Sequence, residues 1–249
     1  MEGPIRSFDM AFDEVCKALP EIFGQVAADE QAVNPPFVRA KAAQPHAVND
    51  IEFEIAALRK RCRNGLSLIL RRLHSHRDPA IQERAQQLEK ELANAFDRIH
   101  TPAFFTQAIL KVVSGQTWRE AFRLPRETVD LLYIGAKGLF DEGLFSEAMD
   151  SFAFLAWFEA RQYDFWIALG HSQFHSAQYS AAIGSYSIAF ECLPEESWPD
   201  IYSAACFEAL GDIKAARLSI ATALTREKKK PKPNQELIRA LEERRAKYR

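Results

Sequence analysis

A small residue followed four positions later by a larger one recurs at a fixed spacing in the second half of the chain. The three pairs are Ala148/Phe152, Ala182/Tyr186 and Ala216/Ile220, and each step is 34 residues. That period is typical of the tetratricopeptide unit, two antiparallel helices in which small residues allow close approach and large residues fill the remaining space. We therefore expect three repeats, at residues 129–162, 163–196 and 197–230.

The three units match the repeat signature to different degrees. The first keeps Gly143, whose access to the left-handed conformation suits a helix end. In the third, Asp200 replaces the usual large residue near the start. The middle unit carries a suitable residue at every signature position, namely Trp166, Leu169, Gly170, Phe174, Tyr179, Ala182, Tyr186, Ala189 and Pro194. Because the units stay in phase without an insertion, accidental spacing of ordinary helices is a poor explanation.

A lysine- and proline-rich segment, residues 228–233, follows the repeats, and its prolines forbid continuation of the helix. Asn234 then suits the N-cap of a last helix at residues 234–248. Since a solenoid needs its final apolar face covered, we expect this helix to act as a cap. The predicted tetratricopeptide domain is residues 102–249, and it opens with a pre-repeat helix at residues 103–122.

The amino-terminal region, residues 1–101, has a different pattern. Residues 7–28 predict a helix, and residues 29–49 a proline-bearing linker. Apolar residues then recur at steps of three and four through residues 50–100, with a break at Asp78 and Pro79, and this pattern predicts an antiparallel helical hairpin. The predicted fold class is thus all-α: a helical solenoid of three tetratricopeptide repeats and a capping helix, preceded by a helical region.

The composition is that of an ordinary globular chain, with 47% apolar residues, 27% charged residues and a formal net charge of -2. This balance gives no overall electrostatic reason to expect nucleic acid as a partner. The longest wholly apolar run, residues 152–158, is far below the ~20 residues that span a bilayer, so we expect no membrane insertion. Four scattered cysteines without a CxxC pair favour buried thiols in a reducing, cytoplasmic compartment.

The first helix of the predicted hairpin carries a basic stripe, and two interpretations are open. The stripe contacts phosphate or anionic lipid, or it is a solvated face neutralised across the hairpin by Glu83, Glu89 and Glu91. We favour the second, because aromatic residues are not interleaved with the charges. The residues of the stripe are Arg59, Lys60, Arg61, Arg63, Arg71, Arg72 and Arg77.

No glycine-rich phosphate loop, nucleophile elbow or HExxH motif is present, so we expect no enzyme and no cofactor. His171 and His175 lie one helical turn apart, a spacing at which two imidazoles can share a metal ion. By repeat phase, however, this face lines the groove of the array. A peptide contact is therefore the favoured interpretation, and we predict no metal site.

From about Phe104 to its end, the sequence resembles the tetratricopeptide chaperones of type III secretion systems that escort hydrophobic translocator proteins. Residues 181–187 resemble the family's second repeat, and residues 109–121 resemble the region ahead of its repeats. Lys232-Pro233, together with the helix after them, resembles the family's last segment. The resemblance implies a bacterial cytoplasmic chaperone that holds an extended segment of its client in a concave groove before export. Residues 1–100 have no counterpart in it.

In that family, side chains on the first helix of each repeat line the groove. Lys137 stands where the family usually has an apolar residue, which implies a narrower pocket or a preference for an acidic client segment. By repeat phase, the predicted client-peptide contacts are Tyr133, Lys137, Phe140, Ile167, His171, His175, Ile201, Ala205 and Glu208.

Three roles remain open for the amino-terminal hairpin: contact with a second copy of the chain, contact with a second protein, or covering of the groove. The alternative function is accordingly a tetratricopeptide scaffold or regulatory component of a secretion machine, with the hairpin as its main interface.

Overall fold

The computed structural model describes residues 3–15 and 48–248, with the backbone alone for residues 48–55. All regular structure in these residues is helical. The chain divides into two compact units, Met1–Arg161 and Gln162–Arg249. The boundary between them follows the first predicted repeat, whereas the sequence placed a division at residues 101/102.

In the first unit, residues 3–15 form helix α1. The predicted helix 7–28 thus starts earlier, and its part beyond residue 15 lies outside the described residues, as does the predicted linker up to residue 47. Val48 and Asn49, predicted as linker, already belong to α2. The further helices are α2 (Val48–His74), α3 (Pro79–Asp97), α4 (Pro102–Val113), α5 (Trp118–Phe122), α6 (Arg126–Asp141) and α7 (Phe145–Phe158).

The pre-repeat segment is two helices, so the prediction of one helix over residues 103–122 is wrong. Gly115 has a φ of 93° between α4 and α5, a conformation that glycine adopts without strain. A capping box then starts α5: the Thr117 N–H donates to Glu120 Oε2 at 2.8 Å, and the Glu120 N–H donates to Thr117 Oγ1 at 3.3 Å. These local preferences interrupt the helix.

Helix α2 packs against both helices of the first repeat, α6 and α7. A Cβ at Gly65 would overlap the backbone carbonyl of Asp150 on α7, and one at Gly135 on α6 would lie 2.9 Å from Ile69 Cγ2. The apolar stripe of α2 is therefore buried inside the unit, through Cys62, Leu66, Ile69, Leu70 and Leu73. Because of this packing, α2 belongs to the same compact unit as α6 and α7.

Helix α7 is apolar on nearly all sides because the unit surrounds it. It contacts α2 and α6 along its length. Phe154 and Phe158 are fully buried and stack on each other at 5.4 Å between ring centroids, and Phe158 meets Phe96 of α3 at 6.5 Å. The run at residues 152–158 is thus largely buried within this unit, as an all-round apolar helix predicts. No helix in the described ranges is long and apolar enough to cross a membrane.

Four residues of the basic stripe pair with carboxylates other than those predicted. Arg61 Nε lies 3.5 Å from Asp150 Oδ1, and Arg72 pairs with Glu142, so both pair with the first repeat. Arg59 and Arg63 pair with aspartates of α1. Two predicted partners are engaged elsewhere: Glu89 with His74 and Glu91 with Arg84. The prediction failed because the hairpin does not stand alone, and nearer carboxylates come from α1, from α7 and from Glu142 at the end of α6.

The second unit contains two helix pairs and a last helix. Gly170 of α8 approaches the ring of Tyr186 on α9, and Ala182 and Ala216 are fully buried where the helices of each pair meet. This is the small-against-large arrangement that the 34-residue period predicts. The helices are α8 (Tyr163–His175), α9 (Tyr179–Cys192), α10 (Trp198–Ala209), α11 (Ile213–Lys229) and α12 (Gln235–Ala246).

Helix α12 starts at Asn234, whose side chain accepts hydrogen bonds from the Glu236 and Leu237 N–H groups, each at 3.1 Å. Its Ile238 and Leu241 are buried in one cluster with residues of α10 and α11. The helix therefore covers the apolar face of the last pair.

The segment between α11 and α12 is anchored by a buried carboxylate. Glu227 is 2% exposed and accepts hydrogen bonds from Ser197 Oγ at 2.7 Å and from the Asn234 N–H at 3.1 Å. Lys230 Nζ lies 3.0 Å from carboxylate oxygens of both Glu227 and Glu196. The lysine run is thus only partly a solvated linker, since Lys230 is held against the body of the unit.

Cys62 and Cys206 are buried and Cys192 is half-buried, while Cys16 lies outside the described residues. Burial raises the pKa of the Cys62 thiol, and it raises that of Cys206 to about 11.

Candidate functional site

Three rings of the second unit contact one another in a row, and they lie on the first helix of each helix pair, α8 and α10. The Tyr202 ring of α10 meets the His171 ring of α8 edge to face, with centroids 4.4 Å apart and an angle of 87° between the planes. The Trp198 ring stacks on the Tyr202 ring, with centroids 5.7 Å apart, and Trp198 is 41% exposed. We call His171, Trp198 and Tyr202 the aromatic surface.

Tyr163 and Ile167 flank the aromatic surface on α8. Both are half-buried, and Ile167 packs against the buried cluster of Ala182, Tyr186 and Cys206. Burial, together with the nearby Glu196 carboxylate and Tyr202, raises the pKa of Tyr163 well above its usual range. Its hydroxyl therefore stays protonated near neutral pH and is available as a hydrogen-bond donor.

The start of α10 positions the exposed tryptophan. Trp198 and Pro199 occupy the first turn, where proline is tolerated, and the preceding Ser197 is buried and held by Glu227. Trp198 and Tyr202 are one helical turn apart and so lie on the same face. The hydrogen bond from Ser197 to Glu227 thus holds the start of α10, the helix that carries Trp198 and Tyr202.

Asp200 has a structural role in place of the usual large residue. Its carboxylate accepts a hydrogen bond from Arg226 Nε at 3.0 Å, and Arg226 also lies over the Phe190 ring at 4.2 Å. Arg226 Nη1 further donates to the Pro194 carbonyl at 2.6 Å. Burial raises the pKa of Asp200, although Arg226 opposes the shift. An ion pair therefore joins α10 to α11 at this position.

The six predicted contacts of the second unit have different surroundings. His171 is at the centre of the aromatic surface, and Ile167 is beside it. His175 is exposed next to Phe174, and Ala205 is half-buried. Ile201 is only 9% exposed, in the core cluster with residues of α11 and α12.

Glu208 is engaged by the last helix. Its carboxylate accepts hydrogen bonds from Arg244 Nε at 3.2 Å and Nη2 at 2.9 Å, and from the Tyr248 hydroxyl. This bidentate geometry fixes both side chains. Glu208 therefore contributes to the attachment of α12.

The three predicted contacts in the first unit all lie on α6. Tyr133 packs on Phe152 at 6.2 Å, and Phe140 meets Phe145 at 5.3 Å. Lys137 is exposed and pairs with Asp141 on the next turn. Asp141 thus supplies a carboxylate partner on the same helix, and a preference of Lys137 for an acidic client segment stays a prediction.

His171 and His175 both lie beside aromatic rings. Burial, and to a smaller extent the neighbouring His175, lowers the pKa of His171. Its neutral ring packs against Tyr202 and, at 5.8 Å, against Tyr186. In the described part of the chain, no group of three or more potential metal ligands comes together.

Sequence reasoning missed Trp198, Tyr202 and Tyr163. Ile201 was predicted as a groove residue because it lies 34 positions after Ile167. In the structure it is part of the core cluster with residues of α11 and α12. The available signal was the pair of aromatic residues one turn apart at the start of the third repeat.

The chain is similar to known proteins in structure. No protein-family model matches the chain, and no curated protein matches it in sequence. A chain of a CopN-Scc3 complex is 23% identical, with a TM-score of 0.50 over 54% of this chain and 79% of its own. A chain of a T3SS complex from Aeromonas hydrophila is 21% identical, with a TM-score of 0.52 over 56% of this chain and 93% of its own.

The predicted all-helical, tetratricopeptide-like fold is confirmed. The similar structures also include the Yersinia enterocolitica type III secretion translocator chaperone SycD, 22% identical, with a TM-score of 0.49 over 53% of this chain and 98% of its own. These similar structures cover about half of the chain. At such identities, the likeness establishes the fold.

Proposed function

We propose that this protein is a type III secretion chaperone that binds an extended segment of a translocator-like client and keeps it soluble before export. Two lines of reasoning support the proposal. The sequence from about Phe104 onward resembles that chaperone family, and the fold is shared with a chain of a T3SS complex. On this proposal the protein acts in the bacterial cytoplasm by binding alone, without a covalent step.

The aromatic surface is the observation that carries the proposal. Trp198 exposes a large ring that is already held by Tyr202, so a client side chain gains contact area without ordering a flexible group. Aromatic residues of this kind dominate the energy of protein interfaces. Tyr163 adds a hydrogen-bond donor beside the rings, which can fix the register of an extended backbone.

Three acidic residues on or just before α10 are held in ion pairs. Arg226 pairs with Asp200, Arg244 with Glu208, and Lys230 with Glu196. Apolar contacts and hydrogen bonds therefore determine which client segment binds, and the affinity depends weakly on salt. Tyr133, Lys137 and Phe140 remain predicted client contacts on the first unit.

The test is capture of the client from a cell that contains a type III secretion system. The tagged wild-type chain should co-purify with a translocator-like protein that mass spectrometry identifies. The Trp198→Ala and Tyr202→Ala variants should each weaken binding of that client by at least about tenfold in a titration. Leu218→Ala is the matched control, because Leu218 is 69% exposed in the same unit and lies on α11.

Two results would contradict the proposal. Unchanged affinity of both aromatic variants would remove the aromatic surface as the site. Capture of a secretion-machine component in place of a client would favour the alternative function, a scaffold whose main interface is the amino-terminal hairpin.

A further inference from the structure

Helix α1 combines a buried apolar face with aspartates beside it. Phe8 and Phe12 lie one helical turn apart, and an aspartate, Asp9 or Asp13, follows each of them. The buried positions recur at steps of three and four along a single stripe: Pro4, Ser7, Phe8, Ala11, Phe12 and Val15. Helix α1 is therefore an acidic amphipathic helix whose apolar face is fully covered.

The apolar face of α1 lies on aromatic rings of α3 and α7. Phe8 contacts Phe96 at 5.7 Å, Phe154 at 5.8 Å and Trp157 at 5.5 Å between ring centroids, in each case edge to face. Phe12 meets the same Trp157 at 5.5 Å. Two anchors one turn apart thus occupy one aromatic pocket.

The charged side of α1 meets the basic stripe of α2. Arg63 Nε lies 2.7 Å from Asp9 Oδ2, and Arg59 Nε lies 3.6 Å from Asp9 Oδ1. Arg59 also pairs with Asp13. The pocket therefore has a basic rim whose spacing matches the two aspartates.

Contacts that do not involve α1 hold the pocket together. Phe96 meets Phe122 at 5.2 Å, and Trp157 stacks on Trp118 at 5.4 Å. Helix α2, which carries the basic rim, is fixed by the close approach of Gly65 to α7. The pocket and its rim are thus expected to persist when α1 is absent.

We infer that this surface is a second peptide-binding site, separate from the aromatic surface, and that α1 is its ligand in cis. Its ligand class is an acidic amphipathic helix with aromatic residues at positions i and i+4 and carboxylates at i+1 and i+5. A partner helix of this pattern binds only after it displaces α1. A ligand on the same chain has a high effective concentration, so the wild-type site is closed to weak competitors.

The test uses the full chain and a fluorescein-labelled peptide of residues 3–15, with binding followed by fluorescence anisotropy. The wild-type chain should bind the peptide at least about 30-fold more weakly than the Phe8→Ala/Phe12→Ala chain, in which α1 has lost its anchors. Circular dichroism of this variant establishes that the rest of the chain is folded. If it is not, the Asp9→Asn/Asp13→Asn chain, which keeps both rings, should bind the peptide several-fold better than wild type.

Two control peptides separate the contributions of rings and charges. The peptide with both phenylalanines replaced by alanine should not bind the opened chain. The peptide with both aspartates replaced by asparagine should bind several-fold more weakly, and the difference should shrink at about 0.5 M NaCl, where charges are screened.

Failure of the wild-type peptide to bind either folded variant would overturn the inference and leave α1 as an ordinary core helix. Equal binding to wild type and variants would also overturn it, because the site would then not be closed in cis. A wild-type dimer in light scattering that dissociates on addition of the peptide would replace the ligand in cis by α1 of a second copy.

Discussion

The ring of Tyr186 occupies the space that the missing side chain of Gly170 leaves on the facing helix. A Cβ at Gly170 would overlap this ring, and Tyr186 is 1% exposed and cannot swing into solvent. Gly170→Ala should therefore lower the free energy of unfolding by about 2–3 kcal/mol. Denaturant unfolding followed by tryptophan fluorescence measures the change.

Gly184→Ala is the control for that substitution. Gly184 lies within α9 with no atom within 4 Å of an added Cβ, and it is exposed. Alanine should raise the free energy of unfolding by about 0.5–1 kcal/mol through helix propensity and a less flexible unfolded chain. Equal effects of the two substitutions would contradict the close approach at Gly170.

Gly65→Ala should disrupt the first unit. The added Cβ would overlap backbone atoms of Asp150 and Ser151, which are held within α7 and cannot move independently. We expect a loss of about 3 kcal/mol or more in the free energy of unfolding of this unit. Arg71→Ala, at an exposed position of the same helix, should change it by less than about 0.5 kcal/mol. Hydrogen exchange of α2 and α7 reports on this unit, and unchanged protection in Gly65→Ala would refute the prediction.

Glu227 should stabilise the second unit at neutral pH and less in acid. Burial alone would raise the pKa of Glu227, but hydrogen bonds from Ser197, Asn234 and Lys230 outweigh it and hold the pKa below its usual value. A carboxyl with a lowered folded-state pKa stabilises the fold above its unfolded-state pKa, and this stability is lost as the pH falls through the folded-state pKa. Glu227→Gln should cost about 1–3 kcal/mol at pH 7.

The pH dependence of the unfolding free energy shows whether the negative charge of Glu227 or only the size of its side chain stabilises the segment. The difference in unfolding free energy between wild type and Glu227→Gln should shrink below about pH 4.3, where the unfolded-state carboxyl begins to take up protons. Denaturant melts at a series of pH values measure it. A constant difference would mean that the ionised carboxylate is not what stabilises the segment.

His171 should make the second unit less stable as the pH falls. Because burial and His175 lower its pKa, the unfolded chain binds the proton more readily than the folded chain does. Stability is therefore lost as the pH drops below about 6.5, the ordinary histidine value. His171→Phe keeps a ring against Tyr202 without a titrating group, so its stability should vary less between about pH 7.5 and 5.5. Parallel profiles of the two proteins would refute the assignment.

Local spacing carried enough information to predict the helix pairs of the second unit. The small residues that recur every 34 positions, such as Ala182 and Ala216, are buried where paired helices meet. The same phase assigned Ile201 to the predicted groove, and the structure places its side chain in a core cluster with residues of α11 and α12. The contact with His171 is instead made by Tyr202, one position along, and Asp200 forms an ion pair with Arg226.

The contacts of the amino-terminal region depend on pairings between residues far apart in the sequence. The stripe of α2 correctly predicted a helix with one apolar face, yet nothing local indicates that Gly65 meets Asp150 or that Arg63 meets Asp9. A periodic stripe shows that a face is buried and leaves its partner open. In the structure, the first helix of the expected hairpin packs against α6 and α7 as well as against α3.

The apolar surroundings of α7 have a practical consequence for any shortened form of the protein. A fragment beginning at residue 102 would lack α2 and α3, and Phe154 and Phe158 would lose the covers that now exclude water. Contiguous exposed apolar surface of this kind drives self-association. We therefore expect such a fragment to aggregate, whereas the full chain supplies its own cover for this apolar helix through α2 and α3.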